Sequence, residues 1–255
     1  MPEFSRYVAL GDSQTEGLVD GDEVVGFRGW ADRLAERLAG LNPDLRYANL
    51  AVRGRLARQV RAEQLAPALA LRPDLATVVA GLNDLLRPRF DAAMVVGHLE
   101  AMFAALVSSG ATVATVTYPD VGKMMPLARP LVPRLLDFNA RIRDAAARHG
   151  VVVLDSFPHP VTTDPRLWGV DRLHANAVGH DRIAAGMAQA LGLPGSDDTW
   201  TRPFPSPPPK VSWPAEVAWL ARFLGPWVWR RLRGRSSGDG RGAKRPDLTP
   251  VHLRD

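Results

Sequence analysis

The amino-acid sequence predicts a single doubly wound α/β domain followed by a C-terminal extension of a different kind. Three observations carry that prediction. Short apolar runs alternate with longer amphipathic segments from residue 6 to about residue 191. The runs are continuously apolar rather than alternating, as parallel strands covered on both faces must be. The segments between them repeat apolar residues at the spacing of a helical turn, so strands joined by helical crossovers follow.

Each element can be justified in order. Residues 6–10, 45–52, 74–80, 111–118 and 151–155 read as five parallel strands rich in Val, Leu, Ala and Thr. In the first crossover Trp30, Leu34, Leu38 and Leu41 fall on one helical face. The second spans about residues 56–71, where Pro67 is expected to kink or divide the helix. Leu135, Phe138, Ile142 and Ala145 line the helix before the fifth strand, which stops at His149-Gly150, a common helix end. Ile183, Met187 and Leu191 line the last helix.

The chain of 255 residues has a net charge of +5, which raises nucleic acid or an anionic membrane as a partner. Resolved along the sequence, residues 1–209 carry 22 basic and 23 acidic groups, and residues 210–255 carry 10 and 4. The basic excess therefore belongs to the tail. Cysteine is absent, so neither a disulfide framework nor a thiolate metal site can form. No secretory signal pattern is visible and no run approaches the roughly 20 apolar residues of a membrane span, so a cytoplasmic location is expected.

Ligands of doubly wound sheets bind at the carboxyl ends of the strands, so chemistry is sought there. The first strand ends in Gly11-Asp12-Ser13, a serine at a strand-to-helix turn whose helix aims backbone N–H groups at a forming anion. The second ends in Asn49-Leu50-Ala51-Val52-Arg53-Gly54, where a glycine admits close approach to a substrate. The third ends in Gly81-Leu82-Asn83-Asp84, and an Asn amide can donate to an oxyanion. Asp171-Arg172-Leu173-His174 leads into the last helix and offers a base with a carboxylate to orient it. Each taken alone also reads as ordinary structure: a turn, a turn glycine, an Asx turn, a helix cap beside a surface histidine. Together, and in this order, they supply a nucleophile, oxyanion donors, a base and an orienting acid.

Gly-Asp-Ser, Asn-x-x-x-x-Gly, Gly-x-Asn-Asp and Asp-x-x-His resemble the sequence blocks of the SGNH (GDSL-type) hydrolases over roughly residues 6–191. The resemblance implies a flavodoxin-like fold and a serine hydrolase that cleaves carboxylic esters, esterase- or lipase-like, through an acyl-enzyme. It implies Ser13 as nucleophile, His174 as general base and then acid, and Asp171 as its orienting partner. It also implies an oxyanion hole of the Ser13 and Gly54 N–H groups and the Asn83 amide, with Asp84 as structural support. One departure is Gln14, where the family motif has Leu. Acyl transfer, or deacylation of lipid or carbohydrate, is the alternative use of the same site.

No cofactor and no metal is expected. There is no HExxH-type spacing and no Gly-rich phosphate loop, and His98, His149, His159, His180 and His252 join no cluster. Met124, Met125, Leu127 and Leu131, in the loop of residues 119–133, either line an acyl pocket or pack as an ordinary loop. Trp168 either walls the cleft or anchors its loop.

The domain reading is a hydrolase domain over residues 1–195, a Pro-rich connector over 196–212, a Trp/Arg-rich amphipathic segment over 213–235 and a disordered basic tail over 236–255. Five of the seven tryptophans lie at or beyond Trp200, and that concentration allows three readings of the tail. It packs on protein, lies on an anionic membrane surface, or binds nucleic acid, for which no module is present. A docking protein working through residues 213–235 is the reading from another class.

Overall fold

The computed structural model describes residues 4–208, 217–225 and 237–252. β1 (Arg6–Gly11) leads through the single turn α1 (Ser13–Glu16) to a small hairpin, β2 (Gly21–Asp22) and β3 (Gly26–Phe27). α2 (Trp30–Leu41) precedes β4 (Arg46–Asn49), and α3 (Ala57–Ala70) precedes β5 (Leu75–Val79). The short α4 (Leu82–Leu85) and long α5 (Ala92–Ser108) lead to β6 (Thr112–Val116). Then come α6 (Val121–Met124), α7 (Val132–His149), β7 (Val152–Leu154), α8 (Ala177–Ala190) and β8 (Arg245–Pro250).

The main sheet has the order β7-β6-β5-β1-β4-β8. β1, β4, β5, β6 and β7 are mutually parallel and fall within the five expected runs, except that β1 runs on to Gly11. With β4 outside β1 and the later strands added on the other side, this is the flavodoxin-like order. α2 packs on α8, while α3, α5 and α7 pack side by side as a second group. Tyr7, Leu10, Leu34, Phe103 and Phe138 are among the fully buried side chains between these layers. Ser13 follows β1 and Asn83 follows β5, so they flank the point where the strand order reverses.

Three expectations need correction. Pro67 does not divide α3, which continues to Ala70. The proline sits in the last turn on the exposed side, where few helical bonds follow the one its missing N–H removes. Leu41 ends α2 at 47% exposed and does not join the buried face of Trp30, Leu34 and Leu38. The third concerns the tail. Within residues 236–255, β8 pairs antiparallel with β4, with Arg46 opposite Pro250 and Asn49 opposite Arg245. Its two prolines and lack of apolar alternation hid the strand, but an edge strand tolerates proline because one side makes no ladder bonds.

In the connector, Trp200 is buried in the core, and the guanidinium groups of Arg166 and Arg182 lie over the Phe204 ring at 4.1 and 4.5 Å. Of the Trp/Arg-rich segment, residues 217–225 are helical, while 213–216 and 226–235 lie outside the described residues. No helix among the described residues is long and apolar enough to cross a membrane.

Candidate active site

The site starts where β1 runs out. Gly11 is hemmed in so closely that a methyl group there would collide with the Thr15 side chain and the Val79 carbonyl. Its backbone is gripped by Gln64 of α3, whose side-chain oxygen accepts the Gly11 N–H at 2.8 Å while its nitrogen donates to the carbonyl at 2.9 Å. Asp12 then caps α1, accepting the Gln14 N–H at 3.2 Å. Ser13 is the first residue of that helix, so its own N–H has no intrahelical acceptor. The fully buried Asn49 donates to the Thr15 carbonyl at 2.8 Å and accepts the Ala51 N–H at 3.1 Å. It thus ties α1 to the turn that follows β4.

The loop after β7 closes as a small hairpin. The Gly169 N–H donates to the His174 carbonyl at 2.8 Å, and the Asn176 N–H donates to the Leu167 carbonyl at 2.9 Å. Inside it, Asp171 Oδ1 accepts the N–H groups of Leu173 and His174, each at 3.0 Å. Asp171 Oδ2 is 2.6 Å from His174 Nδ1, and His174 Nε2 is 2.8 Å from Ser13 Oγ. Burial works against the Asp171 charge, but these hydrogen bonds and the nearby imidazole hold its carboxyl below the ordinary value. An ionised Asp171 can only accept, so in the neutral form of the ring Nδ1 carries the proton. The Nε2 lone pair then faces the serine hydroxyl.

Asn83 Nδ2 lies 3.1 Å from Asp12 Oδ2 and 3.2 Å from the Arg55 carbonyl. The cleft before Ser13 is lined by Asp12, Ser13, Gln14, Leu82, Asn83, Leu86, Leu173 and His174. Gly54 is not in that lining. It occupies the turn after β4 at φ +75°, where glycine is favoured, one residue before the Arg55 carbonyl that Asn83 contacts. Asp84 accepts the Ala57 N–H at 2.9 Å, at the start of α3, and so joins the third and second strand ends. Burial lifts the Asp12 carboxyl to about 6 against the opposing pull of Gln14, His174 and Asn83.

The roles of several residues around the site are not given by the sequence reading. Gln14 donates to the Leu173 carbonyl at 2.7 Å and accepts the Ala175 N–H at 3.3 Å, bracketing His174 from the serine's side. Glu16 accepts the Arg53 N–H at 2.7 Å and its Nε at 2.9 Å, and pairs with Nη2 as well. His180 is fully buried; its Nδ1 accepts the Trp30 N–H at 3.1 Å and its Nε2 faces the Leu18 carbonyl at 3.3 Å. Burial holds its pKa down at about 4, so it is a neutral structural strut. A polar residue inside a helical apolar face, as Gln64 and His180 both are, was the available signal.

An apolar cavity of about 90 Å³ adjoins the cleft and shares Gln14, Leu82 and Leu173 with it. Val116, Met124, Met125, Trp168 and Ile183 also line it. Of the residues weighed from sequence, Met124, Met125 and Trp168 face this cavity, whereas Leu127 is exposed and Leu131 is not in the lining. Among the described residues, no group of three or more His, Asp or Glu side chains is placed to hold a metal ion.

A flavodoxin-like sheet with hydrogen-bonded serine, histidine and aspartate at its carboxyl edge has the architecture of a serine acyl hydrolase. The profile of the GDSL-like lipase/acylhydrolase family matches residues 9–182, and the chain belongs to that family. Among solved structures it is similar to a lipase/acylhydrolase from Enterococcus faecalis, at 22% identity and a TM-score of 0.60, covering 73% of this chain and 95% of that one. An acetylxylan esterase from Geobacillus stearothermophilus superimposes at 16% identity and a TM-score of 0.63, covering 78% and 97%. The psychrotrophic esterase EstA from Pseudoalteromonas sp. does so at 17% identity and a TM-score of 0.58, covering 74% and 97%. Among curated proteins, none matches this sequence.

Proposed function

We propose that the protein hydrolyses carboxylic esters, with Ser13 as the nucleophile. The observation that carries this reading is the continuous chain of hydrogen bonds from Asp171 through His174 to Ser13 Oγ. His174 Nε2 takes the hydroxyl proton as Ser13 Oγ attacks the ester carbonyl. Asp171 holds the imidazole in the required tautomer and stabilises the imidazolium that forms.

The tetrahedral oxyanion is received by the N–H groups of Ser13 and Gly54 and by the Asn83 amide. Asn83 already rests on Asp12 and Arg55, so its amide is held in place before substrate arrives and must share a hydrogen with the oxyanion. His174 then protonates the departing alcohol. Water enters, gives its proton to the same nitrogen and releases the acid, regenerating Ser13.

The acyl group is assigned to the apolar cavity beside the cleft, which Val116, Met124, Met125, Trp168 and Ile183 line. Incubation with p-nitrophenyl acetate and butyrate tests the reading. Turnover by the wild type that is lost in Ser13→Ala supports it. A wild type inert on both esters, or a Ser13→Ala variant as active as the wild type, sinks it.

A further inference from the structure

The C-terminal extension returns to the loops that carry the candidate site at two places. In the segment of residues 217–225, Trp219 donates its indole N–H to the Val170 carbonyl at 2.8 Å, beside Asp171. The Arg172 guanidinium lies over the same ring at 4.5 Å. Further on, residues 238–244 reach the turn that bears Gly54, through a close approach at Gly238 and partly buried hydrogen bonds at Lys244.

We propose that this second stretch is a positioning element of the oxyanion hole, acting through Gly238 and Lys244. The proposal rests on the ester-hydrolase reading above, in which the Gly54 N–H receives the oxyanion. Gly238 lies against the Arg53 carbonyl so closely that a methyl group on it would collide with that oxygen. The Arg53 carbonyl and the Gly54 N–H belong to one planar peptide, so a push on the first rotates the second. Lys244 acts on the helix that carries the nucleophile. Its Nζ donates to the carbonyl of Glu16, the last residue of the nucleophile helix, at 2.7 Å and meets Asp32 Oδ2 at 2.6 Å.

Asp32 also accepts the Gly29 N–H at 2.9 Å at the start of α2, while Glu16 grips both the backbone and side chain of Arg53. Lys244 thereby joins α1, α2 and the oxyanion turn in one unit. The two ends of the Lys244–Asp32 pair are only 16% and 17% exposed, so loss of either partner leaves a buried charge uncompensated. Arg241 also reaches this region, through Glu23, but those side chains are 41% and 56% exposed, and a pair of that kind contributes little.

Register is fixed immediately downstream. β8 begins at Arg245, opposite Asn49, and the Lys244 N–H faces the Ala51 carbonyl at 3.4 Å. The edge strand therefore delivers Lys244 and Gly238 to β4's own carboxyl end. An oxyanion hole works only when its donors are fixed before charge develops, and a displacement of about 1 Å costs about 10²-fold in rate.

The test uses the full chain. Wild type, Gly238→Ala, Lys244→Met and Lys244→Arg are compared for kcat and KM on p-nitrophenyl butyrate, and for inhibition by butylboronic acid, which forms a tetrahedral adduct. Leu106→Ala, which cuts a buried side chain at the far end of the sheet, serves as the stability control. The expected result is a fall in kcat of about 10- to 100-fold in Gly238→Ala and Lys244→Met with KM nearly unchanged. Boronate affinity falls in parallel, and Lys244→Arg recovers part of both. Leu106→Ala lowers Tm and leaves kcat alone. Unaltered kcat and boronate affinity in the two variants of an active enzyme overturn the inference alone, as does an equal fall in Leu106→Ala. A wild type without turnover overturns the hydrolase reading and this inference with it.

Discussion

The side-chain amide of Gln64 closes two hydrogen bonds on the backbone of Gly11, two residues before Ser13. A single α3 residue thus sets the end of β1 from which Ser13 is presented. In Gln64→Leu the Gly11 N–H keeps no side-chain partner in a buried site, which costs about 1–3 kcal/mol. Urea unfolding should show that loss, and kcat should fall with it because the serine is no longer held against His174. Unfolding and kcat both at wild-type values would show that the bridge holds nothing.

Removal of the Asn83 amide isolates the oxyanion contribution. Asn83→Ala should lower kcat by about 10²–10³-fold with a much smaller effect on KM, the usual consequence of deleting one donor. Steady-state kinetics on p-nitrophenyl acetate checks this. A loss confined to KM would place Asn83 in substrate binding instead.

The parallel sheet and the residues of the candidate triad were legible because each depends on a local pattern. Continuous apolarity marks a strand covered on both faces, and chemistry collects at strand ends. What stayed hidden was whatever depends on partners distant in sequence. Gln14 stands out in the sequence only as a departure from the family motif, yet its amide meets backbone groups on both sides of His174, in residues 159 and 161 positions away in sequence. His180 joins no cluster in the sequence, and only its burial beneath Trp30 and Leu18 gives it a structural role. β8 carries two prolines and no alternation, so only the waiting edge of β4 makes it a strand. Leu127 has the composition of a pocket residue but points away from the cavity, because composition does not fix direction in a loop.

His180 gives the fold an acid-sensitive strut. Its folded pKa of about 4 lies below the ordinary 6.5, so the unfolded chain binds its proton first. The stability it provides is complete above pH 6.5 and is lost as pH falls towards 4, on the order of 3 kcal/mol in all. Asp12, lifted to about 6 by burial, has the opposite sign, since its stability is lost as pH rises towards 6. Comparing wild type with His180→Gln removes that opposing trend. Urea unfolding at pH 7 and pH 4.5 should show a larger acid loss in the wild type, and equal losses would exclude the strut.

Acyl length should be set by the cavity. Val116 lines it from the end of β6, and Val116→Phe fills space that a butyryl chain would enter. The ratio of kcat/KM for p-nitrophenyl butyrate over acetate should fall by about 10-fold, within the range one or two methylenes carry. A ratio that does not move would put the acyl chain elsewhere.

The most direct measurement is mass spectrometry of the protein after brief exposure to a fluorophosphonate, followed by peptide mapping. The mechanism predicts one adduct per chain on the peptide bearing Ser13, slowed in His174→Ala and absent in Ser13→Ala. A modification at any other residue, or none on a wild type that hydrolyses p-nitrophenyl butyrate, would contradict Ser13 as the nucleophile.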